Sequence, residues 1–299
     1  MTLSYDQLAV DAGAATVPGS APMPLGPDSL TWQLGFSRTG LLVAGRALLL
    51  QVMHPVVGAG VRDFSDFKGD PWGRLDRTLV SLQVQMFGGQ EAVEESARLR
   101  QLHRSIKGVG FAGERYRALD PSAYAWVHLS NFDSLLAFDH WFARDLNHDR
   151  RERLYREWRQ IGRVLGIREA DMPIDVAGLR AYVAEMVEHT LGDNATVREV
   201  LASLEMHEVG PPPWPLFPAA AWRALRPLGR FVLRDTTVGT LPPAVRQRLS
   251  LRWTPSDQRR LLLLGATVRA ASVPVPARIM QYPLAYKAQV ESRRHRRAA

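Results

Sequence analysis

Beyond about Gly26, no stretch of this chain alternates apolar and polar residues as a half-buried strand requires, whereas apolar residues recur at helical spacing almost throughout. That pattern restricts the fold to an all-α one. Helices are expected at Ser29–Phe36, Thr39–Met53, Gly73–Phe87, Glu91–Lys107, Pro121–Leu146, Asp149–Leu165, Val176–Leu191, Ala195–His207, Pro218–Leu233, Pro242–Trp253, Pro255–Ala271 and, briefly, Ala277–Val290. Asp120-Pro121 and Thr254-Pro255 each place an N-cap before a proline in the first turn, and Gly88-Gly89, Gly108, Gly166 and Gly192 stand where helices should stop. At 299 residues this amounts to one helical domain over residues 28–290, after a flexible leader at 1–27 and before a basic tail at 291–299. Gly210-Pro-Pro-Pro-Trp-Pro215 marks an internal layer boundary at 209–216.

Composition removes several kinds of chemistry. The chain has no Cys, so disulfides, Cys-ligated zinc, iron–sulfur clusters and thiolate catalysis are excluded. It also lacks GxxxxGK[ST], GxGxxG after a strand, HExxH, GxSxG and an EF-hand loop. With 38 Lys and Arg against 30 Asp and Glu the net charge is +8, spread along the chain except for the terminal SRRHRRAA. No nucleic-acid motif accompanies it, so a solvated, disordered tail with at most a weak peripheral membrane contact is expected. The segment Gly40–Val61 is apolar but interrupted by Arg46, His54 and Pro55, and reads as a buried core helix. The opening residues carry no basic and then apolar export signal, so a cytoplasmic location is expected.

Eight histidines remain as candidates for chemistry: His54, His103, His128, His140, His148, His189, His207 and His295. No two share a helix at the spacing of a two-His metal clamp. His54, in Met-His-Pro, is expected to satisfy carbonyls at a helix C-terminus. The most informative stretch is Asp70–Gly108, two helices hinged at Gly88-Gly89. Arg74 and Thr78 share a face of the first with Arg77 beside them, while Arg100, His103 and Lys107 follow one face of the second. Counted from the hinge, Thr78 and His103 come within one turn of the same level. Such a hairpin suits a planar cofactor, with an imidazole on the iron of haem, polar donors opposite, and Arg100 and Lys107 beside the propionates. The same spacings also describe a solvated basic face and a packed histidine. His128 either lines a pocket with Tyr116, Tyr124 and Trp126 or packs in an aromatic core. Val61–Asp70 reads as a loop, its Asp63 and Asp66 either a solvated surface or a base.

The chain resembles the MpaB-type oxygenases, a family that includes the rubber oxygenases called latex clearing proteins. The likeness runs from about Trp32 to Leu264 and rests on the order and spacing of several pieces. They are Gln51-x-x-His54-Pro55 with Gly58-x-Gly60-Val61, Asp70-Pro71-x-x-Arg74-Leu75-x-x-Thr78, Arg100-x-x-His103-x-x-x-Lys107-Gly108, Tyr116-x-Ala118-x-Asp120-Pro121 through Trp126-Val127-His128, and Leu241-Pro242-x-x-x-Arg246 with Trp253. The resemblance implies a helical fold with a globin-like haem-binding core, haem b, and O2-dependent oxidation of apolar substrates such as isoprenoid chains. By position it makes His103 the iron ligand, with Arg100 and Lys107 in supporting places, and Arg74 and Thr78 the polar pair on the opposite side. Arg77 falls where a rubber oxygenase can carry a ligating lysine. An arginine cannot ligate, because its guanidinium stays protonated. The family's upstream glutamate has no counterpart here except Asp63, Asp66 or Asp70, so a small apolar substrate is expected rather than polyisoprene. The electron source is not specified. Two other functions fit the same residues: a haem-binding sensor or carrier without catalysis, and a helical module without haem that binds a membrane or a protein.

Overall fold

The structure, a computed structural model, describes residues 22–65, 69–143, 145–207, 209–213 and 218–298. Among these residues fourteen α-helices supply nearly all the regular structure. In chain order they begin with α1 (Leu30–Leu34), a 3-10 turn (Arg38–Val43), α2 (Ala44–Val52), α3 (Pro55–Phe64), α4 (Pro71–Phe87) and α5 (Glu91–Arg104). After a small hairpin of β1 (Lys107–Val109) and β2 (Arg115–Arg117) come α6 (Pro121–Phe142), α7 (His148–Leu165), α8 (Val176–His189) and α9 (Ala195–Ser203). The chain ends with α10 (Ala219–Thr240), α11 (Pro243–Arg248), α12 (Pro255–Ser272), α13 (Ala277–Met280) and α14 (Pro283–Ala298).

The starts of these helices follow local chemistry. The side chains of Ser29, Asp70, Asp120, Asn147, Asp175, Asn194 and Thr254 each accept a backbone N–H of the helix they open. At Thr254 the carboxylate of Asp257 reaches back to the cap N–H and completes a capping box. Gly166 closes α7 at φ +87, a conformation in which a side chain is strained.

Packing centres on α2 and α6. Leu49, Leu50, Val52, Met53, Trp126, Leu129 and Phe132 are fully buried, and Trp126 Nε1 donates to the Leu50 carbonyl at 3.0 Å. Gly45 lets α2 lie directly on α10, since a Cβ there would strike the Thr237 hydroxyl. The buried carboxylate of Glu157 on α7 accepts from Leu30 N (2.7 Å), Thr31 N (2.8 Å) and Thr31 Oγ1 (2.8 Å), which caps the short α1 from a distance in sequence. No single described helix is long and apolar enough to cross a membrane; the 3-10 turn and α2 with α3 pass on length and composition but bend by 105° at their junction.

Five expectations are corrected. The helix expected at Thr39–Met53 does stop before Pro55, but His54, expected at its C-terminus, is the N-cap of a further helix, α3, which runs on through Val61–Phe64 where a loop was expected. The second helix of the Asp70–Gly108 hairpin ends at Arg104, because residues 107–109 pair with 115–117 as strands, so Lys107 leaves the face shared by Arg100 and His103. The helix after the proline linker continues past Leu233 to Thr240, its last six residues buried. The basic tail is the end of α14, whose Ser292 donates to the Pro27 carbonyl at 2.6 Å and whose Gln289 donates to the Leu34 carbonyl at 2.7 Å. The last leader residues are packed too, with Leu25 in the core. Residues 1–21 lie outside the described residues.

Candidate functional site

A cavity of about 1020 Å³ lies among α2, α4, α6, α7 and α9, at the upper end of the size range for small-molecule sites. Its wall is mostly aliphatic and aromatic, with Leu48, Leu79, Leu82, Phe132 and Leu135 among the lining residues. One stripe of α4 faces it: Arg74, Leu75, Thr78, Leu79, Leu82 and Met86 fall at helical spacing. Arg74 is therefore a half-buried guanidinium in an apolar wall. Its pKa is lowered by burial and by the neighbouring Arg77 charge, with no carboxylate among the described residues to offset them. Thr78 Oγ1 donates to the Arg74 carbonyl at 2.9 Å.

His103 stands on α5, partly buried and outside the cavity wall. Its Nδ1 lies 2.7 Å from the Leu99 carbonyl, which can only accept, so Nδ1 carries the proton and the lone pair is left on Nε2. This is the tautomer of a ligating imidazole, oriented by a backbone carbonyl. The ring meets Tyr124 edge-on at 5.9 Å. The hairpin register is set by Ser81 of α4, which hydrogen-bonds Glu95 of α5. Eight residues along each helix from that bond, 81 − 8 = 73 and 95 + 8 = 103, so His103 is level with Gly73, one residue from Arg74.

The remaining sequence candidates separate. Arg77 is exposed and pairs with Asp70 at 3.1 Å, away from the cavity, because Asp70 is also the N-cap of α4. Arg100 donates to the Val164 carbonyl at 3.2 Å and packs on Gly166, finishing the C-terminus of α7. Lys107 is exposed on β1. Asp63 pairs with Arg62 at 2.6 Å and accepts from Tyr116 at 2.7 Å, and both contacts hold its carboxyl below the usual range. It is outside the cavity wall, and Asp66 lies outside the described residues. Tyr116 and Trp126 serve these structural contacts rather than a shared pocket with His128.

His128 is core. It stacks on Trp158 with ring centroids 4.9 Å apart, and its Nε2 donates to the Trp158 carbonyl at 2.9 Å, so that nitrogen is spoken for. Burial lowers its pKa from 6.5 to about 4. The folded state therefore keeps it neutral where the unfolded chain takes a proton. Its contribution to stability is complete above pH 6.5 and is lost progressively as the pH falls toward 4. His54, buried with Nδ1 unpartnered, is lowered by burial in the same direction. Stability measured by denaturant is expected to fall between pH 6.5 and 4, by up to about 1.4 kcal/mol per pH unit for His128. His128→Gln, which keeps an N–H for the Trp158 carbonyl, should flatten that slope; an unchanged slope would place the acid sensitivity elsewhere.

Sequence reasoning missed most of the polar groups in the wall. Gln51, Asn131, Asp139, Arg150, Glu199 and His207 all line the cavity. The available signal was the cluster of polar residues from His128 to Ser134 on the mainly apolar α6. Among the described residues no group of three or more His, Asp or Glu is placed to hold a bare metal ion.

The sequence profile of the ER-bound oxygenase mpaB/B'/Rubber oxygenase catalytic domain matches residues 32–270. An uncharacterized protein of Mycobacterium tuberculosis and one of Mycobacterium bovis are each 26% identical to the chain over 246 residues, 80% of this chain and 91% of the relative. No solved structure matches significantly.

Proposed function

The chain belongs to the mpaB/rubber oxygenase family and carries its oxygenase catalytic domain, and from that premise we propose that it is a haem b-dependent oxygenase acting with O2 on a small apolar substrate of alkene or isoprenoid-like type. The observation that carries this reading is Arg74, a guanidinium without a counter-ion among the described residues, in the wall of a large apolar cavity, with His103 at the same level of the next helix.

The donor set suits haem. Haem brings most of its iron's ligands with it, so one imidazole would be enough where a bare ion would need several side chains. His103 has the required tautomer, with Leu99 holding its ring. Bound haem supplies the one-electron and O2 chemistry that side chains lack. The protein supplies the rest. His103 would hold the group through Nε2. Arg74 offers donors and positive charge to negative charge developing at oxygen, and a low-dielectric wall strengthens that interaction. Thr78, bonded to the Arg74 carbonyl, adds a hydroxyl on the same stripe of α4. Arg100, one turn before His103, would contribute positive charge toward the carboxylates of the macrocycle, whereas Lys107 has left that face. The aliphatic wall binds an apolar substrate and keeps water out. Arg77, paired with Asp70, acts on Arg74 through its charge.

Haemin titration tests the reading directly. A saturable Soret band at one haem per chain is expected, followed by O2-dependent conversion of small alkenes once a reductant is added. A protein that binds no haemin would overturn it, and one that binds haem and O2 without any product would be a sensor or carrier.

A further inference from the structure

One stripe of α7 follows the cavity from the core to the surface. Trp158, Leu154 and Arg150 come at intervals of four residues and all line the wall. Trp158 and Leu154 are buried, whereas Arg150, about 12 Å from Trp158 along the helix axis, is exposed. The apolar wall on this side therefore ends at a guanidinium on the rim. That guanidinium has no partner among the described residues. The acids around it are engaged elsewhere: Asp139, in the same wall, accepts from Leu146 N at 2.8 Å and pairs with Arg151 at 3.3 Å, Asp145 also pairs with Arg151, and Glu152 accepts from Val176 N at 3.2 Å. Asp149 shares the first turn but does not line the cavity. Nor does the helix favour a cation here. Arg150 is the third residue of α7, at the positive end of the helix dipole, and its own N–H is already taken by Asn147 Oδ1 at 3.0 Å. Of the charged groups in the wall, Asp139 and Glu199 have partners, while Arg74 and Arg150 have none among the described residues, so the unanswered charge of the cavity is positive.

We propose that the apolar substrate carries a carboxylate at one end and that Arg150 receives it at the mouth of the cavity, with the chain lying inward along Leu154 and Trp158. The proposal rests on the reading of this cavity as the substrate site, and it does not require haem to be bound. A guanidinium has N–H donors in a planar fork and no acceptor, so it matches a carboxylate through two parallel hydrogen bonds, whereas an alcohol or an ester offers weaker acceptors and no charge. The place on the rim matters as much as the charge. There the carboxylate keeps part of its water while the chain leaves it, and no anion has to be desolvated in the apolar interior. A single unpaired guanidinium answers a single negative charge. Holding that end at the rim also sets which part of the chain is presented inside, which makes Arg150 a specificity-determining residue.

The test titrates the haem-free full chain calorimetrically with farnesoic acid, farnesol and methyl farnesoate, which share one isoprenoid chain and differ at its end. The acid should bind about five- to tenfold more tightly than the other two at low salt, and the advantage should shrink at high salt. Arg150→Gln should abolish the advantage while farnesol affinity, haemin affinity and circular dichroism stay as in the parent. Arg150→Glu should reverse the order, binding the acid more weakly than farnesol, and should melt no lower than the parent, because a carboxylate suits the first turn of a helix. Arg74→Gln should keep the preference for the acid. Equal affinities for the three ligands in the parent would overturn the proposal and leave the apolar-substrate reading standing, whereas failure of all three to bind would overturn both. A preference that survives Arg150→Gln, or that disappears in Arg74→Gln, would place the carboxylate elsewhere and overturn it. So would an Arg150→Gln protein that loses haemin affinity but keeps the acid's advantage, since the guanidinium would then belong to a carboxylate of haem.

Discussion

His103→Ala is expected to weaken haemin binding by at least about 100-fold and to remove the spectrum of a histidine-ligated haem, while the helical circular dichroism is retained. The size of the effect follows from the absence, among the described residues, of any clustered set of ligating side chains that would take over. The change should be structurally mild, because His103 is only partly buried and its ring makes one hydrogen bond, to the Leu99 carbonyl of its own helix. Added imidazole should restore the band. Arg74→Ala separates holding the cofactor from using it: haem should still bind, and turnover should fall about 100- to 1,000-fold, the loss typical of removing a preorganised donor from developing negative charge. A His103→Ala protein with the parent's spectrum would show that another residue is the ligand.

The second large effect concerns stability. Arg46→Ala should lower the free energy of unfolding by about 3–5 kcal/mol, measured by denaturant titration. Arg46 is 4% exposed and uses its whole fork: Nε donates to the Thr240 carbonyl at 3.0 Å, Nη1 to Ser134 Oγ at 2.9 Å, and Nη2 to the Asp133 carboxylate at 2.6 Å. It therefore ties α2 to α6 and to the C-terminal end of α10. Truncation strands the Asp133 carboxylate, only 15% exposed, together with a helix-terminal carbonyl. Arg46→Lys should recover little, since an ammonium cannot reproduce three donors in a fixed plane. A loss below about 1 kcal/mol for Arg46→Ala would mean that water enters and solvates the pair.

Arg46 illustrates how unevenly the sequence discloses its contents. An arginine inside Gly40–Val61 reads as an interruption of an apolar helix, yet its partners are 87, 88 and 194 residues away. Nothing local announces them. The His54-Pro55 junction shows the opposite failure. Proline in the first turn of α3 was a readable start signal, but His54 was read as the end of the Thr39–Met53 helix and no helix was expected to begin after it. Lys107 was placed on a helical face because the spacing from His103 suits one, whereas the helix ends three residues earlier and a three-residue strand pairs with Arg115–Arg117. Strands that short leave too few residues for a period of two to be seen. His128 had two readings, and the stacked Trp158 together with a carbonyl 2.9 Å away makes it core.

What the sequence determined by itself was the class of fold, the places where most helices begin, and the helical hairpin in which Thr78 and His103 count to within one turn of the same level. These depend on interactions spanning three or four residues: an Asp70, Asp120 or Thr254 side chain reaching the N–H three positions on, or a count of residues from Gly88-Gly89. Only the tertiary structure decided which polar groups meet the cavity. Arg74 and Arg77 are three residues apart on one helix, yet one is half-buried in an apolar wall and the other is exposed beside Asp70. Helical periodicity assigns residues to faces but does not say what covers each face. That depends on α2, α6, α7 and α9 standing with α4 around one cavity, which brings together residues far apart in the chain.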